Sequence, residues 1–261
     1  SSLVSTGKII ASLIGINKSE TFFVRPPSGV YGRGDGADWT NAFSGFPQTL
    51  VRGATYYVAG GDYPSQLFNT PSQGAEYIYI KKATLDDHGT NQGWQESLAN
   101  QAIFNGSVRF EKPKNGNSTH WVFDGQTGGG PGSWTSGFGF KIIVNNQKSG
   151  PGIGIKTIAN IVPTDIELKH FEVVGNGGDG ATYPWNDGVY IGVGGDRVSI
   201  SHAYIHEMGR TIIFSGGHDT FAEYLYTGRY ESVPEQHSAI ASVWRGAGAD
   251  AVPLRNITFA N

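Results

Sequence analysis

The chain has 261 residues, a length that allows one large domain or two small ones. Glycine fills 39 positions, charged residues make up only 16% against about 25% in an average protein, and the net charge is −3. That balance argues against a nucleic-acid binder, which carries a basic patch or stripe. The absence of cysteine excludes disulfides and thiolate metal sites, and no apolar run approaches the ~18 residues of a membrane helix.

Residues 1–20 stand apart from the rest. Ile9, Ile10, Leu13 and Ile14 recur at near-helical spacing, with Ser5 or Thr6 as N-cap and Gly15 as stop. This predicts a short amphipathic helix capping one end of the fold; a linker or signal-peptide remnant is the rival reading. From residue 21 onward, short apolar runs alternate with Gly, Asn and Asp clusters. They fall at 55–59, 77–81, 108–110, 121–123, 140–144, 166–174, 189–193 and 198–205, the pattern of an all-β protein.

The second half repeats itself. Ile166, Leu168, Phe171 and Val173 form an apolar pattern with a break in the middle, and Val198, Ile200, Ala203 and Ile205 reproduce it. His202 then lies under His170 at the break. A second unit starts at Asp187-Gly188-Val189, recurs at Arg210-Thr211-Ile212 and again at His237-Ser238-Ala239. A period of roughly 23–32 residues predicts a solenoid, in which each unit stacks on its neighbour. Residues 254–261 read as one more strand. An uncovered parallel edge predicts a longer protein or an oligomer formed through that end.

The opening carries a resemblance. Phe22-Phe23-Val24-Arg25-Pro26, then Gly34-Asp35-Gly36-Ala37-Asp38-Trp39-Thr40-Asn41-Ala42-Phe43, then Gly53-Ala54-Thr55-Tyr56-Tyr57-Val58-Ala59-Gly60-Gly61-Asp62-Tyr63 resemble the start of secreted right-handed parallel β-helix proteins of the pectate-lyase-like superfamily. Gly-Ala-Thr stands here where that family has Gly-Asp-x. The resemblance implies a single right-handed parallel β-helix over 21–261 in a secreted or cell-surface bacterial or phage protein that handles polysaccharide; the charge balance and the lack of a long apolar run predict no nucleic-acid or membrane partner.

Stacking the second unit puts Asp187, Arg210 and His237 in one column. In a uronate lyase such a trio has work to do: Asp187 as cation ligand or acid, Arg210 as neutraliser of the substrate carboxylate, His237 as proton acceptor. The expected reaction is β-elimination on an acidic polysaccharide. A surface ion ladder that stitches adjacent coils is the plainer reading of the same column. Asn186-Asp187-Gly188 also resembles part of the polygalacturonase motif, but no Asp-Asp pair or Arg-x-Lys follows, and Gly217-His218-Asp219 only approximates its Gly-His-Gly. A glycoside hydrolase would need a second carboxylate from a loop, such as Asp179 or Glu235. A non-catalytic tailspike, adhesin or binding coil is the third class.

Trp185, Tyr190 and Trp244 are the expected sugar-stacking residues, within a wider set of loop or outward aromatics that includes Trp134, Tyr183, Tyr224 and Tyr226. Lys141 and Lys156 are alternative bases. Asp35, Asp38 and Asp62, or Asp86, Asp87 and His88, are oxygen-rich clusters for Ca2+, although solvated turns explain both. His202 and His206 are not a zinc pair in a strand, where four residues span about 13 Å.

Overall fold

The computed structural model describes residues 19–144, 153–158, 165–175, 186–192, 196–215, 218–228, 239–243 and 255–260. It is nearly all β, with 49% of the described residues in strands. In chain order the strands are β1 (Thr21–Arg25), β2 (Phe43–Ser44), β3 (Thr55–Val58), β4 (Gly61–Phe68), β5 (Ile78–Lys82), β6 (Ala102–Glu111), β7 (Trp121–Asp124) and β8 (Phe140–Ile143). They continue as β9 (Ile153–Ile158), β10 (Ile166–Val174), β11 (Asp187–Ile191), β12 (Val198–His206), β13 (Arg210–Phe214), β14 (His218–Thr227), β15 (Ala239–Val243) and β16 (Arg255–Ala260). One turn of 3-10 helix, Glu96–Ala99, is the only helix among the described residues. The expected capping helix and the rest of residues 1–18 lie outside them.

Every described pairing is parallel. One run of neighbours goes β1, β3, β5, β7, β10, β12, β14, β16. A second joins β4, β6, β8 and the later half of β10. A third joins the later half of β6 to β9, β11, β13 and β15. Ile166 pairs with Val198, Ser199 with Phe221, Asp187 with Arg210 and Arg210 with Ala239, so these rungs are 22 to 32 residues apart. Together they form one long parallel sheet, consistent with a β-solenoid.

The strand period of two explains the core. Tyr56, Ile80, Phe123, Leu168, Ile200 and Ala222 occupy matched register positions, and all six are buried. Rings fill the same interior: Phe123 stacks on Phe140 at 4.4 Å between centroids, and Phe104, Phe110, Trp121 and Phe171 are fully buried. Rings thus make up much of the core in the first half of the chain, where in-register rings stack on one another.

The break in the apolar pattern has a backbone cause. His170, His202 and Tyr224 have φ of 56°, 52° and 49°. A left-handed residue in mid-strand turns the chain and inserts one extra outward position, so Lys169 and His170 both leave the core between buried Leu168 and Phe171. The three rings stack, with centroids 4.7 Å apart for His170–His202 and 4.8 Å for His202–Tyr224. Trp134 continues the stack on Tyr224 at 6.3 Å, so these two aromatics pack a loop onto the strands.

A second left-handed column precedes the strands. His120, Asp165, Arg197, Asp219 and Asn256, with φ between 51° and 61°, each stand one residue before an aligned strand position. Arg197 donates to both oxygens of Asp165 at 2.6 and 2.7 Å, and Asn256 donates to Asp219 at 2.7 Å. At the other side, β4 pairs with β6 alone among the described residues and carries Pro64, whose missing N–H suits an unpaired edge.

The opening loop folds back on β1. Asp38 accepts from the backbone N–H of Thr40 and Asn41 at 2.8 and 2.9 Å, and Trp39 is fully buried among Phe23, Ala42, Ala59, Ala83 and Leu98. Gly36 has φ 74°, and a Cβ there would lie 2.3 Å from the Phe43 ring, so no other residue fits the turn.

Candidate functional site

Asp187 and Arg210 meet as the repeat predicts. They are register partners on β11 and β13, and the guanidinium donates from Nε and Nη2 to the two carboxylate oxygens at 2.7 and 3.0 Å. The Asp187 side chain is 2% exposed and that of Arg210 23%. Such a pair spends two of the guanidinium's donors on its partner and is built to hold two strands together. The third rung differs from the sequence alignment. Arg210 pairs with Ala239 on β15, two residues beyond His237. His237 itself, with Trp185, Trp244, Asp179 and Glu235, lies outside the described residues. Tyr190 is half-buried on β11, with Lys156 and Ile213 as register partners.

A second surface lies elsewhere, on the outer face of β3, β5, β7 and β10. Alternation sends two columns outward. One is Tyr57, Lys81, Asp124, Lys169; the other is Thr55, Tyr79, Val122, Glu167. Together they line a hollow of about 300 Å³. A second hollow of about 250 Å³ shares Tyr79, Val122 and Glu167 and extends the trough to Tyr77, Arg197 and Ser199. Tyr79 is 40% exposed, and Tyr77 sits 6.0 Å from it, centroid to centroid.

Charges in the trough are ordered. Asp87, from the loop after β5, bonds both Lys81 Nζ and the Tyr57 hydroxyl, the latter at 2.6 Å. Burial pushes the Asp87 carboxyl up, but these two bonds outweigh it and leave it below the usual carboxylate range. Burial, reinforced by the Asp87 bond, pushes the Tyr57 phenol up, so this tyrosine stays neutral. Lys169 donates to Glu167 at 2.8 Å and lies 3.7 Å from Asp124. Burial pulls Lys169 down; the two carboxylates overcome it and hold the ammonium above its ordinary value.

Asp124 is the centre of this face. Its Oδ1 accepts from His170 Nδ1 at 2.8 Å and from the Gln126 backbone N–H at 2.7 Å. Burial again acts upward on the carboxyl, and the bonds from His170 and Gln126 with the charges of His170 and Lys169 bring it below normal. On the adjoining strands Glu172 takes a comparable role, accepting from Lys141 Nζ at 2.8 Å and His206 Nε2 at 3.1 Å. Lys141 is thus an ion-pair partner of Glu172.

The acidic clusters are turn chemistry. Asp35 pairs with Arg33 at 2.7 Å, Asp38 caps its own turn, and Asp62 accepts from Asn105 at 3.0 Å. Among the described residues no group of three His, Asp or Glu side chains is arranged to hold a metal.

The trough residues were open to sequence reasoning. Tyr77-Ile78-Tyr79-Ile80-Lys81 alternates strictly, which places Tyr77, Tyr79 and Lys81 on one outward face. What the sequence hid was the neighbour: β7 pairs β5 on one side and β10 on the other. Compared with known protein families, curated proteins and solved structures, the chain gives no match.

Proposed function

We propose that the chain is an extracellular right-handed parallel β-helix that binds an acidic polysaccharide along the outer face of β3, β5, β7 and β10 and cleaves it by β-elimination. The observation that carries this reading is the trough in which Tyr57 and Tyr79 alternate with Lys81 and Lys169. A pyranose presents an apolar face to a tyrosine ring, while its uronate carboxylate meets an ammonium. The Lys169–Glu167 pair is 26% and 42% exposed, and such pairs are worth about 0–1 kcal/mol. A substrate carboxylate exchanges with Glu167 at little cost. Neutralising that carboxylate acidifies the adjacent C5 proton, the step a lyase must make easy. Helix closure is supported by β6 and β10, whose two halves pair with different neighbours.

The test is a panel of polygalacturonate, alginate and glycosaminoglycan, scored for binding in affinity gels and for the ultraviolet absorbance of an unsaturated product. Binding that weakens at least tenfold in Tyr79→Ala, with absorbance growing in the wild type, supports the reading. No binding to any acidic chain overturns it.

A binding-only role is the second reading. Its support is that Lys81 and Lys169 already have carboxylate partners. It predicts retention in the gel without product. A glycosidase has less support, because it needs one protonated carboxylic acid and Asp124 is held ionised.

A further inference from the structure

We propose that His170 is the proton acceptor of this site and that Asp124 is its positioning residue. The assignment rests on the eliminative reading above and deepens it.

The geometry has four parts. First, Asp124 lines the trough and accepts a 2.8 Å hydrogen bond from His170 Nδ1. A carboxylate can only accept, so Nδ1 carries the proton and Nε2 keeps the lone pair. Second, Nε2 makes no hydrogen bond among the described residues, and the side chain is 22% exposed. Third, the left-handed bend puts consecutive residues Lys169 and His170 both outside the core, so a cation and a base stand side by side. Fourth, the imidazole is braced by the His202 ring at 4.7 Å. Burial, and then the neighbouring His170, pull the His202 pKa down.

The competing imidazole is His206. It lies flat on Tyr204 at 4.0 Å, and its carboxylate partner Glu172 also serves Lys141 through the same oxygen.

The step balances without a co-reactant. The C5–H bond of a uronate breaks and its proton passes to Nε2 of His170. The electron pair becomes the C4–C5 double bond, the C4–O4 bond breaks, and the leaving oxygen takes a proton from the imidazolium or water. Lys169 and Lys81 face the carboxylate during the transfer, and Asp124 balances the imidazolium.

The experiment uses His170→Asn, Asp124→Asn and the double variant on the polyuronate the wild type cleaves. Asparagine tolerates the left-handed φ, and unfolding midpoints identify any variant that fails to fold; His170→Gln then serves in its place. A general base contributes about 10²–10⁴-fold, so His170→Asn is expected to lower kcat at least 100-fold with KM within about threefold. The deprotonation step in the wild-type pH profile of kcat/KM disappears. Because Asp124 acts through His170, the double variant is no slower than His170→Asn alone. If His170→Asn keeps a tenth of kcat, or the wild type binds without turnover, the assignment falls while glycan binding stands. If the wild type binds no polyuronate, the functional reading itself falls.

Discussion

Asp187 and Arg210 start neighbouring parallel strands and close a two-point ion pair across them, with the carboxylate almost wholly removed from solvent. The repeat in the sequence brings these two together as foreseen, and the geometry gives them a stitching role between rungs. Removing one partner takes a two-point bond from a charge shielded from water, and breaking a buried pair costs about 3–5 kcal/mol, whereas replacing both by apolar groups costs much less. Since Arg210 is partly exposed, Asp187→Leu or Arg210→Met alone is expected to lose about 3 kcal/mol in urea unfolding. The double variant should recover at least half of that. Single variants with wild-type stability would remove the stitching role.

Lys82 sits on β5, fully buried, and donates to the carbonyls of Ala83 and Leu98, with no carboxylate bonded to it among the described residues. Burial pulls its pKa from 10.5 down to about 7. Between those values the unfolded chain holds a proton that the folded chain has released, so stability climbs with pH across that window. Below about 7 the cost of burying the charge is fully present. Lys82→Met lacks this dependence. Thermal or urea unfolding should therefore show wild type gaining on the variant from pH 7 to 10, by up to about 1.4 kcal/mol for each pH unit. A flat difference over that range would show that the ammonium stays charged in the fold.

Glu167 competes with the proposed substrate for Lys169. Glu167→Gln frees the ammonium and removes a negative charge from the trough. Polyuronate affinity is expected to rise about two- to fivefold in dilute buffer, with a steeper fall as salt is added, because exposed charges are screened over about 10 Å at 0.1 M. Weaker binding in this variant would argue that Glu167 contacts the glycan itself.

Legibility in the sequence followed the backbone chemistry. The 2-3-2 spacing of Ile166, Leu168, Phe171 and Val173 was readable because one left-handed residue shifts the alternation by one, and the same shift recurs at His202. The stacking of His170 on His202 followed from it. The third rung was misplaced by two residues because loops between units vary in length, and the apolar pattern of 237–241 fits either register. Asp124 was passed over because Trp121-Val122-Phe123-Asp124 carries no motif; its meaning comes from Lys81 and Lys169 on either side, which only the strand order supplies. The aromatic core escaped for a related reason. Whether a ring faces in or out is fixed by register, as with Tyr56 in and Tyr57 out.

His202 offers the sharpest test of the bend. Its φ of 52° is a conformation that asparagine and glycine adopt readily and a β-branched residue resists. Its ring also lies between His170 and Tyr224. His202→Asn keeps the turn and loses the stack; His202→Val strains the turn as well. The expected order of stability in urea unfolding is wild type, then Asn, then Val, with Val lower than Asn by about 1–3 kcal/mol, the cost of an unfavoured backbone region. Equal stability of the two variants would mean that ring stacking, and not the left-handed residue, sets the bend.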